Sequence, residues 1–214
     1  MKTIKVLPCL LTGLILFLAA SVMAAEGDTV SLRWALGAIE TESSKPAAIK
    51  KDVQLETGAK LKFLVEPLSP GSVYLLLLDS DDNLHVLYRE DTVRPDGSDP
   101  AYVPPGSHWF ELDDRAGRET FFLLASIEPL VELDALLASL ESADAAGNEA
   151  ATDAIVAEVR RLHKAHRNFA RPVEQPVMIG GQTRSGGPTG STIDQLAVEI
   201  SAERFYGKTI TIDH

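Results

Sequence analysis

The 214-residue chain predicts a mainly β fold: an antiparallel β-sandwich with a two-helix insertion before the last strands. Three observations predict it. Between residues 29 and 127, short stretches alternate apolar with polar side chains and are bounded by Gly, Pro and Asx turns. From Leu130 to Phe169 the apolar residues change to helical spacing. Strong β-formers then return in Phe205 to Ile212. A terminal strand after a helical stretch must rejoin the earlier sheet, because an isolated hairpin is marginal in water.

Taken in order, the chain begins with an uncharged apolar run, Val6 to Ala25, behind Lys2 and Lys5 and ahead of Glu26-Gly27-Asp28. That layout predicts a secretory signal over residues 1–24, with Val22 and Ala24 as the small residues before the cut. An uncleaved anchor is the alternative, since about 20 apolar residues span a bilayer as a helix. Cys9 does not fit a lipid anchor: it lies ahead of the apolar core and follows Pro8. The expected location is periplasmic or secreted, with no stable membrane insertion after cleavage.

Residues 25–214 then form a single domain without cysteine, which excludes disulfides, thiolate nucleophiles and thiolate metal sites. Such a chain must rely on an apolar core, and its length allows one. Loss of Lys2 and Lys5 leaves 18 basic against 31 acidic residues, moving the net charge from -11 to -13. So acidic a surface repels nucleic-acid phosphates and anionic lipid head groups, so nucleic-acid binding is set aside.

Val30, Leu32, Trp34 and Leu36 alternate and predict an outer strand. Leu61, Phe63 and Val65 alternate with Lys60, Lys62, Leu64 and Glu66, giving a strand with one dry face between Gly58 and Pro67. Ser72 to Leu78 holds four consecutive leucines between turns, the pattern of a buried central strand. Asp79-Ser80-Asp81-Asp82-Asn83 is a turn by Asx chemistry, and Leu84, Val86 and Tyr88 resume the alternation, so residues 72–89 form a hairpin. A proline-rich loop occupies 91–106, followed by strand segments at 107–112 and 119–127.

The insertion over 130–169 reads as two amphipathic helices, the first of about ten residues and the second of about twenty by their apolar spacing. Gly147-Asn148 breaks the first, and the second runs from about Glu149 to Phe169. A flexible loop spans 170–192, and strands at Ile193–Ile200 and Phe205–Ile212 complete the domain.

The block from Leu61 to Leu130 resembles a bacterial module known as domain-of-unknown-function family 4384. The resemblance rests on Leu61-Lys62-Phe63-Leu64-Val65-Glu66-Pro67, then Val73 to Asp79 with its acidic turn, and Leu84-His85-Val86-Leu87-Tyr88. Pro104, Phe110-Glu111-Leu112-Asp113, Gly117-Arg118-Glu119-Thr120 and Phe122-Leu123-Leu124-Ala125-Ser126 complete it. The family often has glycine in the acidic turn, where this chain has Asn83-Leu84. The resemblance implies an exported or envelope-associated accessory module and transfers no catalytic residue.

Several residues are candidates for chemistry. Asp79, Asp81 and Asn83 occupy positions 1, 3 and 5 of a calcium loop, with Glu90 at position 12, but Leu84 stands where the sharp turn needs glycine. A hairpin turn with solvated carboxylates is the simpler reading. His163 and His166 sit three apart among Arg160, Arg161, Lys164 and Arg167, which disfavours a bound cation and complements a helix C-terminus. This one basic patch on an acidic protein suits an acidic partner. Tyr102, Trp109 and Phe110 offer an aromatic surface or, more simply, core and rim packing.

The glycine-rich run 180–190 lacks the ending of a phosphate loop, and Ser185 and Ser191 lack a nucleophile elbow. The expectation is a non-enzymatic interaction module without a cofactor, binding a protein or envelope partner. Its contact surfaces would be loop 91–109, the basic helix end and a strand edge at 204–213. The competing expectations are a hydrolase of envelope glycans or peptides using Glu111 or Asp113 with His108, and a structural subunit of an envelope assembly.

Overall fold

The computed structural model describes residues 28–92, 99–167, 173–176 and 191–214. The predicted signal over 1–24, Cys9, residues 93–98 of the predicted loop and the glycine-rich run 180–190 lie outside the described residues.

Two sheets form the body of the protein. The first is built on β1 (Thr29–Ile39), β4 (Lys60–Pro67), β7 (Ala101–Val103), β10 (Val173–Pro176) and β11 (Val198–Glu203), in the order β10-β11-β1-β4-β7. Two short strands, β2 (Ala47–Ala48) and β8 (Phe110–Glu111), pair with β1 and β4. The second sheet has the order β3-β12-β9-β5-β6, from β3 (Val53–Gln54), β12 (Phe205–Asp213), β9 (Arg118–Ser126), β5 (Gly71–Leu78) and β6 (Leu84–Thr92). Every strand pairing is antiparallel except β3 with β12.

The period-2 pattern decides which side chains meet between the sheets. Leu32, Trp34 and Leu36 of β1 and Leu61, Phe63 and Val65 of β4 face Val73 and Leu75 of β5, Phe121 and Leu123 of β9 and Ile210 and Ile212 of β12 in one cluster. Phe63 and Phe121 touch across the sandwich with ring centroids 4.9 Å apart. Each such side chain, taken out of water, stabilises the fold by about 2 kcal/mol before entropy is subtracted.

The leucine run of β5 is apolar on both faces because both faces are covered. Its odd-numbered residues enter the sandwich, while Tyr74 and Leu76 meet the two helices α1 (Val131–Ser142) and α2 (Ala145–His166) on the outside. Leu133 and Leu137 of α1 and Ile155, Val159 and Leu162 of α2 complete that second apolar layer. Tyr74 donates its hydroxyl to Asp134 at 2.8 Å, and Arg89 pairs with the same carboxylate at 2.8 Å, pinning α1 to the sheet.

The predicted β-sandwich with a helical pair before the final strands is therefore the architecture of the molecule. Four local expectations are corrected. The helix break falls at Ala143-Asp144, not at Gly147-Asn148, because Asp144 caps α2 by accepting from the Gly147 N–H at 2.9 Å. Strand β1 is not an outer strand: it pairs with β11 over Thr29–Trp34 and with β4 over Leu32–Ile39. The segment predicted as a 170–192 loop contains β10, which pairs with β11 through Val173↔Ser201 to Pro176↔Val198. Finally, Ile193 belongs to a short helix, α3 (Ser191–Asp194), and the strand begins at Val198 with a buried–exposed alternation.

Candidate functional site

Asp79 begins the turn between β5 and β6 and directs its carboxylate back into that turn. Its Oδ1 accepts from the backbone N–H of Asp81 at 3.0 Å and of Asn83 at 2.8 Å, and its Oδ2 lies 2.8 Å from His85 Nε2. Burial opposes the charge on Asp79. The hydrogen bonds from His85, Asn83 and Asp81 outweigh it and hold the carboxyl below its ordinary pKa. Asp81 is turned away toward Arg115 at 2.6 Å, and Asp82 adopts a positive φ of 61°. These residues close the hairpin as an Asx turn. The Asp79 carboxylate is taken up by its own turn and Asp81 by Arg115, and no group of three His, Cys, Asp or Glu side chains that could hold a metal ion appears among the described residues.

Tyr102 and Trp109 come together on the outer face of the first sheet. Between them stands Lys62 of β4, only 1% exposed, whose Nζ donates to the carbonyls of Gly106 at 2.6 Å and His108 at 2.9 Å. Its ammonium lies 5.8 Å from the Tyr102 ring centroid and 5.6 Å from that of Trp109, within cation–π range. Burial lowers the Lys62 pKa. The alternation of β4 placed Lys62 on the wet face, but segment 99–109 and α3 cover it. Tyr102 also donates to Asp194 at 3.0 Å, and Asp194 pairs with Arg33 at 3.4 Å. The two aromatics thus serve as packing around a buried cation.

Burial, and then the Asp194 hydrogen bond, push the Tyr102 hydroxyl up to about 12, and burial raises Tyr74 and Tyr206 as well. An unfolded tyrosine ionises near pH 10, so above that pH the unfolded chain binds fewer protons than the folded one. Stability therefore falls as pH climbs from about 10 through 12. Circular dichroism of urea unfolding across this range should show that loss. Tyr102→Phe should lose less than wild type, and equal losses would contradict the buried hydroxyl.

The basic patch at the end of α2 is real as a surface. Arg160, Arg161, Lys164 and Arg167 are exposed. Arg161 forks onto Glu158 with two bonds of 2.6 Å, and Glu158 is itself buried. Among the described residues, Arg160, Lys164 and Arg167 form no ion pair. His163 and His166 turn away from this surface toward Phe205, with ring centroids 6.2 and 4.5 Å from it. Burial lowers both imidazole pKa values, so both favour the neutral form.

A cleft of about 340 Å³ opens where β8 and β6 leave the two sheets apart. Leu61, Leu77, Leu87, Phe110, Leu112 and Phe121 form its apolar walls. Asp79, His85, Glu111, Asp113, Glu119 and His214 supply its polar groups. The strand pairing explains the convergence. Glu119 sits opposite Ile212 in β9 and β12, and His214 is held just beyond by exchanging backbone bonds with Gly117 at 2.9 and 3.1 Å. His214 Nε2 lies 3.7 Å from Glu119 Oε1.

Glu111 and Asp113 thus reach the cleft as the hydrolase expectation required, but His108 does not line it. His108 contributes its carbonyl to Lys62 instead, and His85 and His214 are the imidazoles present. No local pattern in the sequence marks either imidazole, since only the pairing of distant strands brings residues 79, 85, 111, 119 and 214 together. The strand edge at 204–213 is partly covered: β12 pairs with β9 along its length and with β3 at Ile212–Asp213. No family model, curated protein or solved structure matches this chain. No helix among the described residues is long and apolar enough to cross a membrane.

Proposed function

We propose that the protein is an exported, non-enzymatic interaction module of the bacterial cell envelope that docks an acidic protein partner on the end of α2. The observation that carries this reading is the exposure of Arg160, Lys164 and Arg167 without ion pairs among the described residues, on a chain of net charge -11. Complementary charge speeds and selects encounter even where it adds little affinity. The apolar run before Glu26 and the resemblance of residues 61–130 to family 4384 support an exported, envelope-associated setting.

The competing reading is a hydrolase of envelope glycans or peptides. It draws on Glu111 and Asp113 sharing a cleft with His85 and His214. Mild cross-linking of the tagged, exported protein followed by pull-down separates the two. One stoichiometric partner is expected, with recovery reduced at least tenfold in an Arg160→Glu/Lys164→Glu/Arg167→Glu variant, as screened charge contacts allow. Equal recovery by the variant would remove the docking surface. Turnover of envelope polymers with no partner would overturn the reading as a whole.

A further inference from the structure

We infer that the cleft between β6 and β8 is a binding site for a small organic cation with an apolar tail, an alkyl- or arylammonium, whose head group sits on His214 and Glu119. This is separate from the α2 surface and stands on other residues. A cleft of about 340 Å³ is within the range of small-ligand sites, which are mostly apolar with a few convergent polar groups. Its walls fit that description, with Leu61, Leu77, Leu87 and Phe110 offering a dry lining for a short hydrocarbon chain.

The sign of the head group follows from the charges. Four carboxylates, Asp79, Glu111, Asp113 and Glu119, line the cleft. Of the two imidazoles, His85 is already held by Asp79 at 2.8 Å. Lys60 lies 3.7 Å from Glu111 on an exposed strand end and does not line the cavity. An anionic ligand would meet a surplus of like charge, whereas a cation is complementary.

Acidic surroundings alone would not define a site; His214 does. Its side chain is 1% exposed, yet neither Nδ1 nor Nε2 has a hydrogen-bond partner. A buried polar atom left without a partner costs roughly 1–3 kcal/mol. In its neutral form the ring offers one acceptor nitrogen, and the Glu119 carboxylate 3.7 Å away offers another acceptor. An ammonium has three N–H donors, enough to engage both. A bare metal ion is the poorer candidate: the cleft's donors are spread around its walls, and no group of three metal-ligating side chains forms among the described residues.

The test uses the exported protein as purified and three probes of matched tail: hexylammonium, 1-hexanol and hexanoate. Binding is followed by calorimetry and by NMR of the His214 and His85 ring protons. Hexylammonium is expected to bind at least tenfold more tightly than hexanol, to shift the His214 signals, and to weaken as salt is raised. Glu119→Gln should reduce that preference to threefold or less. Because Glu119 is largely buried, the exposed-rim variant Glu111→Gln/Asp113→Asn provides a second reading, with a smaller loss of preference and an unchanged fold. Hexanol binding as tightly as hexylammonium would overturn the proposal. So would tighter binding of hexanoate, shifts confined to residues outside the cleft, or no binding of any probe at millimolar concentration.

Discussion

Gly71→Ala is expected to destabilise the protein by roughly 4 kcal/mol, combining backbone strain with overpacking. Gly71 opens β5 with a φ of 147°, a conformation that L residues rarely adopt. A Cβ built there would lie 2.2 Å from the carbonyl oxygen of Ser126 and 3.2 Å from the Cα of Ile127. The obstacle is backbone of the neighbouring strand, so no side-chain rotation relieves it. Ser72 pairs with Ser126 in the next register position, and β5 would have to peel away from β9 at this end. Gly106→Ala provides the control: its φ is also positive, at 65°, but nothing lies within 4 Å of the added methyl. That variant should lose only about 1 kcal/mol, the cost of the dihedral alone. Urea unfolding of the two variants distinguishes the effects, and similar losses would show that the close approach at Gly71 is not tight.

The second large effect is expected at Lys62. Lys62→Ala should cost roughly 3 kcal/mol, because it removes a buried four-carbon stem as well as two charge-assisted hydrogen bonds. Lys62→Met restores most of the volume and should remain about 1–2 kcal/mol below wild type, reflecting the bonds to the Gly106 and His108 carbonyls less the relief of ammonium desolvation. The pH dependence is distinctive. Burial lowers the folded pKa of Lys62 below the unfolded value of 10.5, so between the two values the unfolded chain binds more protons. Stability from this group therefore rises with pH through that window, and the gap between wild type and Lys62→Met should widen there. A methionine variant as stable as wild type at all pH values would show that the ammonium contributes nothing net. Proteolysis within segment 99–109 should also accelerate in both variants, since the amine ties that segment to β4.

Much of the fold was legible because local pattern and tertiary environment agree. The stretches that read as strands near 60–66, 72–78, 84–89 and 119–127 are strands over 60–67, 71–78, 84–92 and 118–126, although the pairing of β5 with β6 shifts register at Leu75/Leu76, leaving Val86 exposed and Leu84 against the helices. The helical pair was legible for the same reason, since its apolar spacing matches the layer it makes with Tyr74 and Leu76. The errors fall where pattern is short or where partners are distant. β10 is a four-residue Val-Glu-Gln-Pro segment with no alternation to display, and β1 is central only because β11, far along the chain, covers its second edge. Lys62 looked like a solvated residue because alternation reports which face a side chain is on, and not what later covers that face.

The candidate sites divide in the same way. The basic end of α2 is a property of consecutive residues on one exposed helix, so Arg160, Arg161, Lys164 and Arg167 were found from their spacing. The acidic turn was found too, and its chemistry as an Asx turn follows from Asp79 bonding its own neighbours. The cleft was not visible, because it exists only where the two sheets diverge. By itself the sequence determined the strand and helix periods, the acidic surface and the basic helix end, all of which arise within a few residues of chain. Only the tertiary structure decided that Lys62 is buried between Tyr102 and Trp109, and that His214 meets Glu119 beneath an apolar cleft. Those outcomes depend on strand register and sheet packing, which bring together side chains that no local pattern connects.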